Sequence, residues 1–372
     1  MCSRTLSGTV VHQESTLPTR VIDVCLDNSS DIRIQETAGL YGKYVALSYC
    51  WGESSGFPEL MLTKATIDQL KLNLPVESLP KTIRDAINIT QRLGMNYLWV
   101  DRLCIIQDDQ ADWQNEAAKM GSVYENAVFT IAATGAHTPK EGCFLPREEN
   151  ALVATLPTER GNLYISCLMA PLNEELKVRE FELEMSRSRW ATRAWTFQER
   201  LFSRRVIYFG RQQITWECRK HRETETRFGS DAGFKYSCSK FLHAQDPKST
   251  INWAIDRIAE KNSVDCERMD LSNLWSTAEC RDGADWEGLI AMYSQLQLTY
   301  EKDRIPAIQS LMQHVAEASG LECCAGMWLG SLPRTLFWSP FWWDEREIER
   351  AIPSRRIFEP PPDGGIICVS PP

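Results

Sequence analysis

Glu116 is the carboxylate whose surroundings the sequence defines best. On a helix starting near Asp112, turning roughly 100° per residue, Trp113, Ala117, Met120, Val123 and Tyr124 share one face. Glu116 falls inside that apolar arc, whereas Gln114, Asn115 and Asn126 point away. A carboxylate held against tryptophan and methionine loses solvation and gains affinity for a proton. Such a group can steady a ribosyl cation or take a proton. The competing reading is an inward glutamate paired with an arginine such as Arg102 or Arg193.

Other residues offer chemistry with a plainer reading beside it. Asp101 ends a strand-like run, where an acid can bind a ribose hydroxyl or shape the following turn. Cys104 lies between Leu103 and Ile105, which suits a buried core thiol; a nucleophile there needs a base, and His137 is the only histidine after Asp101 in this half of the fold. Trp51 can stack on a base or nicotinamide ring, or pack over a sheet edge. Arg193 and Glu199 can form a buried ion pair or reach a pocket, with Trp195 in the core. Gly52-Glu53-Ser54-Ser55-Gly56 spells G-x-S-x-G, but Phe57-Pro58 blocks the helix that a nucleophile elbow requires. There is no C-x-x-C or H-E-x-x-H, no Walker loop and no G-x-G-x-x-G, so neither a metal nor a resident cofactor is expected.

These residues need elements to position them. Tyr44-Val45-Ala46-Leu47-Ser48-Tyr49-Cys50 has the length and composition of a buried strand. A short helix is expected within 64–72. Pro80 suits the first turn of a helix carrying Ile83, Ala86, Ile87, Thr90 and Leu93 at helical spacing, with Gly94 at its C-terminal cap. Residues 96–101 and 128–133 read as further strands, separated by the helix of Glu116. Strand, helix, strand, helix, strand predicts an α/β unit with a parallel sheet, whose sites lie at the carboxyl ends of strands. Residues 205–217 read as a β-hairpin, 219–285 as an insertion without clear periodicity, and 286–296 and 305–318 as helices.

The bulk numbers narrow the classes. A chain of 372 residues with 43% hydrophobic and 24% charged residues is globular. Its net charge of −9 argues against a nucleic-acid partner, which needs a basic face. No run of about 18 apolar residues occurs, so no membrane span is expected. The start of the chain has no apolar core of a secretory signal, and 13 cysteines follow no repeating frame. The expected compartment is the cytoplasm, with reduced thiols.

Three segments together resemble the fungal heterokaryon-incompatibility (HET) domain family. They are Tyr44–Gly52; Leu98-Trp99-Val100-Asp101-Arg102-Leu103-Cys104-Ile105-Ile106-Gln107-Asp108, continuing through Trp113 and Glu116 to Met120 and Tyr124; and Arg193-Ala194-Trp195-Thr196-Phe197-Gln198-Glu199, with Trp216-Glu217-Cys218 after it. The resemblance implies a role in non-self recognition and programmed cell death. The family is distantly similar to TIR domains, and Leu47-Ser48-Tyr49 is similar to the opening TIR box. Many TIR domains cleave NAD at its nicotinamide glycosidic bond with a glutamate near a tryptophan. Trp113-Gln114-Asn115-Glu116 looks like that pairing, although the TIR glutamate follows the third strand and Glu116 follows the second.

The expected fold is therefore α/β, a flavodoxin-like or TIR-like parallel-sheet core with an additional β-hairpin and a mainly helical C-terminal part. Residues 1–43 form a β-prone extension, 44–218 the HET domain, and 219–372 the insertion and C-terminal region. The expected site pairs catalytic Glu116 with Ser48, Trp51, Asp101, Cys104, Gln107, Trp113 and Arg193 as substrate-binding residues. Its expected substrate is NAD or a related nucleotide. The other reading is a non-enzymatic signalling module that acts by homotypic assembly or by binding a protein partner.

Overall fold

The computed structural model describes residues 14–25, 31–52, 60–146, 152–158, 161–166, 181, 184–218, 221–225, 234–235, 289–290, 292–319, 322–324, 327–328 and 368–369. The G-x-S-x-G segment lies largely outside them.

The architecture grows from one fully buried strand. In chain order the N-terminal strands are β1 (Ser15–Thr16), β2 (Arg20–Asp23), β3 (Arg33–Glu36), β4 (Tyr41–Gly42) and β5 (Tyr44–Ser48). All five residues of β5 are buried, as expected of a strand covered on both faces. Two helices follow, α1 (Ile67–Leu72) and α2 (Lys81–Arg92), before β6 (Tyr97–Trp99). The buried side of α2 comprises Thr82, Ile83, Ala86, Ile87, Ile89 and Thr90, with Pro80 at its N-cap. Gly94, with φ of +70°, ends it where a left-handed residue is needed.

Next come α3 (Asp101–Cys104), α4 (Gln110–Asn126) and β7 (Thr130–Ala132). Asp109 caps α4, its carboxylate accepting from the amides of Ala111 and Asp112 at 3.0 and 3.3 Å. Two strands, β8 (Leu152–Thr158) and β9 (Gly161–Ser166), pair with each other in a separate hairpin. They precede α5 (Ala194–Phe202), β10 (Arg205–Phe209), β11 (Ile214–Cys218), β12 (His221–Thr224) and β13 (Phe234–Lys235). The last described elements are α6 (Pro306–Ser319) and the short strands β14 (Cys323–Cys324), β15 (Met327–Trp328) and β16 (Cys368–Val369).

Nine strands form one mixed sheet in the order β13-β12-β11-β10-β7-β5-β6-β2-β3. Its centre, β10-β7-β5-β6, is parallel, with Leu47 opposite Ile131 and Val45 opposite Leu98. Antiparallel strands extend both sides: β2 and β3 beyond β6, and β11, β12 and β13 beyond β10. The fold is thus α/β, and the expected hairpin is β10–β11. The β-prone N-terminal pieces and the start of the expected insertion both supply strands of this same sheet.

The chain steps from β5 outward to β6, then back across β5 to β7. Connections therefore leave β5 and β7 in opposite directions, and a crevice is expected at their carboxyl ends. Helices α4, α5 and α6 pack together on this sheet. Gly121 permits their approach, since a Cβ there would lie 2.6 Å from Ser310 Cβ and 3.0 Å from the Phe202 ring. The Ser310 hydroxyl fills the space and bonds both the Gly121 amide and the Ala118 carbonyl. His314 reaches Glu125 at 3.3 Å, which fixes α6 to α4 a turn further along.

Candidate functional site at the ends of the parallel strands

The carboxyl ends of β5 and β7 gather a polar cluster from four distant stretches of chain. Ser48, the last residue of β5, donates a short hydrogen bond to the Glu199 carboxylate from α5. Trp190 Nε1 donates to Ser48 Oγ at 2.6 Å. The Tyr124 hydroxyl of α4 lies 3.1 Å from the Leu47 carbonyl and also reaches Glu199. Ser48, Tyr124, Trp190 and Glu199 are all buried.

Burial governs Glu199. Loss of solvation pushes its pKa up to about 7, although Arg193 and the Ser48 hydrogen bond pull it down; the Asp101 charge adds to the rise. Among the described residues no lysine or arginine lies within ion-pair distance of it, so its charge is offset by the Ser48 and Tyr124 hydroxyls and, at longer range, by Arg193. A carboxyl group that titrates near neutrality can serve as acid or as base.

Above this buried floor lie the partly exposed members Trp51, Gly52, Asp101 and Arg193. Asp101 opens α3, and one of its carboxylate oxygens accepts from Trp51 Nε1 at 2.6 Å while the other accepts from the Arg102 amide at 2.7 Å. Lost solvation raises its pKa too, against those two hydrogen bonds and the charges of Arg193 and Arg102. The Arg102 guanidinium sits 4.6 Å from the Trp51 ring centroid, a cation–π contact that fixes the indole. Arg193 donates to the Tyr49 carbonyl at 2.6 Å, which draws the N-terminus of α5 to the end of β5. Gly52 is shaped for this corner, with φ of +78° and only 2.9 Å between a would-be Cβ and Pro139.

The structure brings four of the expected residues, Ser48, Trp51, Asp101 and Arg193, to this place. Gln107 joins from the side, its amide donating to the Asp101 and Ile105 carbonyls at 3.1 and 2.9 Å. Cys104 lies beneath, fully buried, with its thiol pushed up to about 12 by burial, so it carries no thiolate to attack with. Trp113 packs edge-on against Trp195, ring centroids 6.0 Å apart, between α4 and α5.

Glu116 sits apart from the cluster. Its inward position is as the helical periodicity predicts, with 1% exposure. Its partners, however, are the Thr19 hydroxyl at 2.7 Å, Lys119 at 3.1 Å and Asn115 at 3.2 Å, rather than Arg102 or Arg193. They tie it to the N-terminal strands. Beside it Arg20 bonds both oxygens of Asp112 at 2.6 Å and the Cys104 carbonyl at 2.8 Å.

Sequence reasoning left Glu199 between two roles and passed over Trp190 and Tyr124 as site residues. A signal for Glu199 was present. It lies four residues after Trp195, on the buried side of α5.

Residues 44–199 match the family model described as heterokaryon incompatibility protein (HET). That stretch runs from the first residue of β5 to Glu199, so it contains every member of the cluster. The chain thus carries a segment that matches the HET family model. It is also similar to "Heterokaryon incompatibility protein 6, OR allele" of Neurospora crassa, at 28% identity over 97 residues. The similarity covers 25% of this chain and 14% of that relative. No solved structure matches the chain. No helix among the described residues is long and apolar enough to cross a membrane.

Proposed function

We propose that the chain serves heterokaryon incompatibility and that its working part is the strand-end cluster, a TIR-like site that hydrolyses NAD or a related nucleotide with Glu199 as its carboxylate. The observation that carries this reading is Glu199 itself. It is a buried acid held at about 7 by desolvation, beneath the ends of β5 and β7 and without an ion-pair partner among the described residues. The parallel strands run β6-β5-β7-β10, so the order reverses between β5 and β7, and in open α/β sheets ligands sit at such a switch point. Glu199 follows the third of these strands, as the TIR resemblance requires and as Glu116 does not.

In this reading the partly exposed Trp51 takes the base, and Asp101 bonds a ribose hydroxyl. The bond between ribose C1′ and the base nitrogen breaks, with the electron pair leaving on the base. The ionised Glu199 steadies the ribosyl cation until water adds to C1′ and releases its proton. Because the ionised form works, activity should rise with pH through about 7.

The test is NAD consumption with nicotinamide release by purified protein, concentrated enough to permit assembly. Glu199→Gln should lower turnover by at least about 100-fold, while Glu116→Ala leaves most of it. The reverse pattern moves the chemistry to Glu116. No turnover in the wild type favours a second reading, assembly with a protein partner or another copy. That reading is supported by β3, the last strand on its side of the sheet among the described residues, and by the exposed Leu40, Tyr41 and Leu72.

A further inference from the structure

Ser48 stands between two groups of opposite kind. The Trp190 indole can only donate, and its Nε1 lies 2.6 Å from Ser48 Oγ. The single hydroxyl proton of Ser48 must therefore point elsewhere, and Glu199 accepts it. A serine hydroxyl alone is a rotor that donates or accepts as its neighbours require. Under Trp190 it becomes a fixed donor.

Trp190 is itself firmly held. It is fully buried, packed edge-on against Tyr208 with ring centroids 6.1 Å apart. Its carbonyl accepts from the Thr196 hydroxyl at 2.8 Å, which ties it to the first turn of α5, the helix that carries Glu199. One residue thus orients the hydroxyl and braces the helix beneath it.

We propose that Trp190 is a positioning residue: by donating to Ser48 it directs that hydroxyl's proton onto Glu199 and holds the carboxyl group ready beneath the strand ends. A donor feeding Ser48 polarises its O–H and strengthens the bond to a charged acceptor. The relay therefore favours the ionised form of Glu199. Its use in turnover rests on the function proposed above, but the relay is read without any substrate. The other groups facing Glu199 are Cys50 from the end of β5, Asp101 from α3, Tyr124 from α4 and Arg193 at the start of α5. Trp190→Phe removes none of them and keeps an aromatic ring in the site.

The experiment measures unfolding free energy by denaturant between pH 5 and pH 9 in roughly half-unit steps. It compares the wild type, W190F and S48A, each with its Glu199→Gln counterpart. The difference within each pair isolates the titration of Glu199. Its midpoint should move upward by about half a pH unit in W190F, and further in S48A. A purely packing role lowers the whole W190F curve and leaves that midpoint where the wild type has it, which overturns the proposal. Should W190F not fold, an unmoved midpoint in S48A overturns it equally, and an upward move supports it. Either outcome is independent of whether the protein consumes NAD, so the relay and the nucleotide reading can fail separately.

Discussion

Glu199 and Glu217 are both buried carboxylates on the β10 side of the sheet, and both accept a short hydrogen bond from a hydroxyl, Ser48 in one case and Tyr208 in the other. Their charges are handled differently. Glu217 receives two bonds from Arg222, at 2.6 and 3.2 Å, and Arg200 stands 3.9 Å away. The Arg222 guanidinium in turn lies 4.0 Å over the Phe181 ring. Glu199 has no such partner within reach among the described residues, and Arg193 acts on it at longer range. A buried acid clasped by guanidinium groups fastens strands together. One left near neutrality by desolvation is a poor fastener, and acids so perturbed are enriched at functional sites.

The largest effect expected from this contrast is at the clasped acid. Glu217→Ala should destabilise by about 3–5 kcal/mol, because it removes the buried carboxylate that Arg222 and Arg200 face. Replacing Glu217 and Arg222 together by Leu and Met should recover most of that loss, as apolar replacement of a buried pair does. If the double variant is as unstable as the single one, the clasp is doing more than balancing charge.

The free acid should answer in the opposite direction. Its pKa is raised from an ordinary 4.5 to about 7. The folded state therefore holds the proton more tightly, and that stability is present below about pH 4.5 and lost as pH rises through about 7. Glu199→Gln, which mimics the protonated form, should thus gain about 3 kcal/mol over the wild type at pH 8, and nothing at pH 4. Urea unfolding at the two pH values checks this. A uniform loss at both would make Glu199 a structural acid like Glu217, and the comparison would collapse. A gain in stability with a loss of turnover is the trade expected of a site residue.

Much of this fold is legible in the sequence because its signals are local. Tyr44–Cys50, the helical spacing from Ile83 to Leu93 and the apolar arc of Trp113 to Tyr124 each reveal an element without reference to the rest, and each is present, although Leu93 itself is exposed. The mixed edges of the sheet are less legible. Strands of four residues such as Arg20–Asp23 and Arg33–Glu36 carry too few alternations to name their partners. The site was half legible for a related reason. Ser48, Trp51 and Asp101 follow recognisable strands, so their meeting can be expected from topology. Glu199 stands 151 positions after Ser48, and only the packing of α5 back onto β5 brings them together. The inward turn of Glu116 is correctly read from helical spacing, but spacing says nothing of what waits inside. Thr19 and Lys119 do, where a substrate pocket was expected.

Glu116 provides a third term for the comparison, with a smaller expected effect. Its carboxylate is buried like the others, but its partners are a hydroxyl, an amide and a lysine whose side chain is half exposed. Glu116→Gln should cost roughly 1–2 kcal/mol by weakening the tie between α4 and the segment before β2. Thermal unfolding measures it. A loss as large as that of Glu217→Ala would rank Glu116 with the clasped acids.

The smallest effect concerns the positive charge that reaches Glu199 from a distance. Arg193 favours the ionised carboxylate, and a long-range partly exposed charge acts weakly. Arg193→Met should move the Glu199 titration upward by about one pH unit or less, read as the pH at which the stability gap to Glu199→Gln levels off. The direction is the informative part. An upward move means that Arg193 and Glu199 are coupled across the mouth of the site, so a bound anion that neutralises Arg193 would raise the proton affinity of Glu199 in the same way. No move would mean that Arg193 serves to hold the end of β5, and that Glu199 is governed by burial, Ser48, Tyr124 and Asp101 without it.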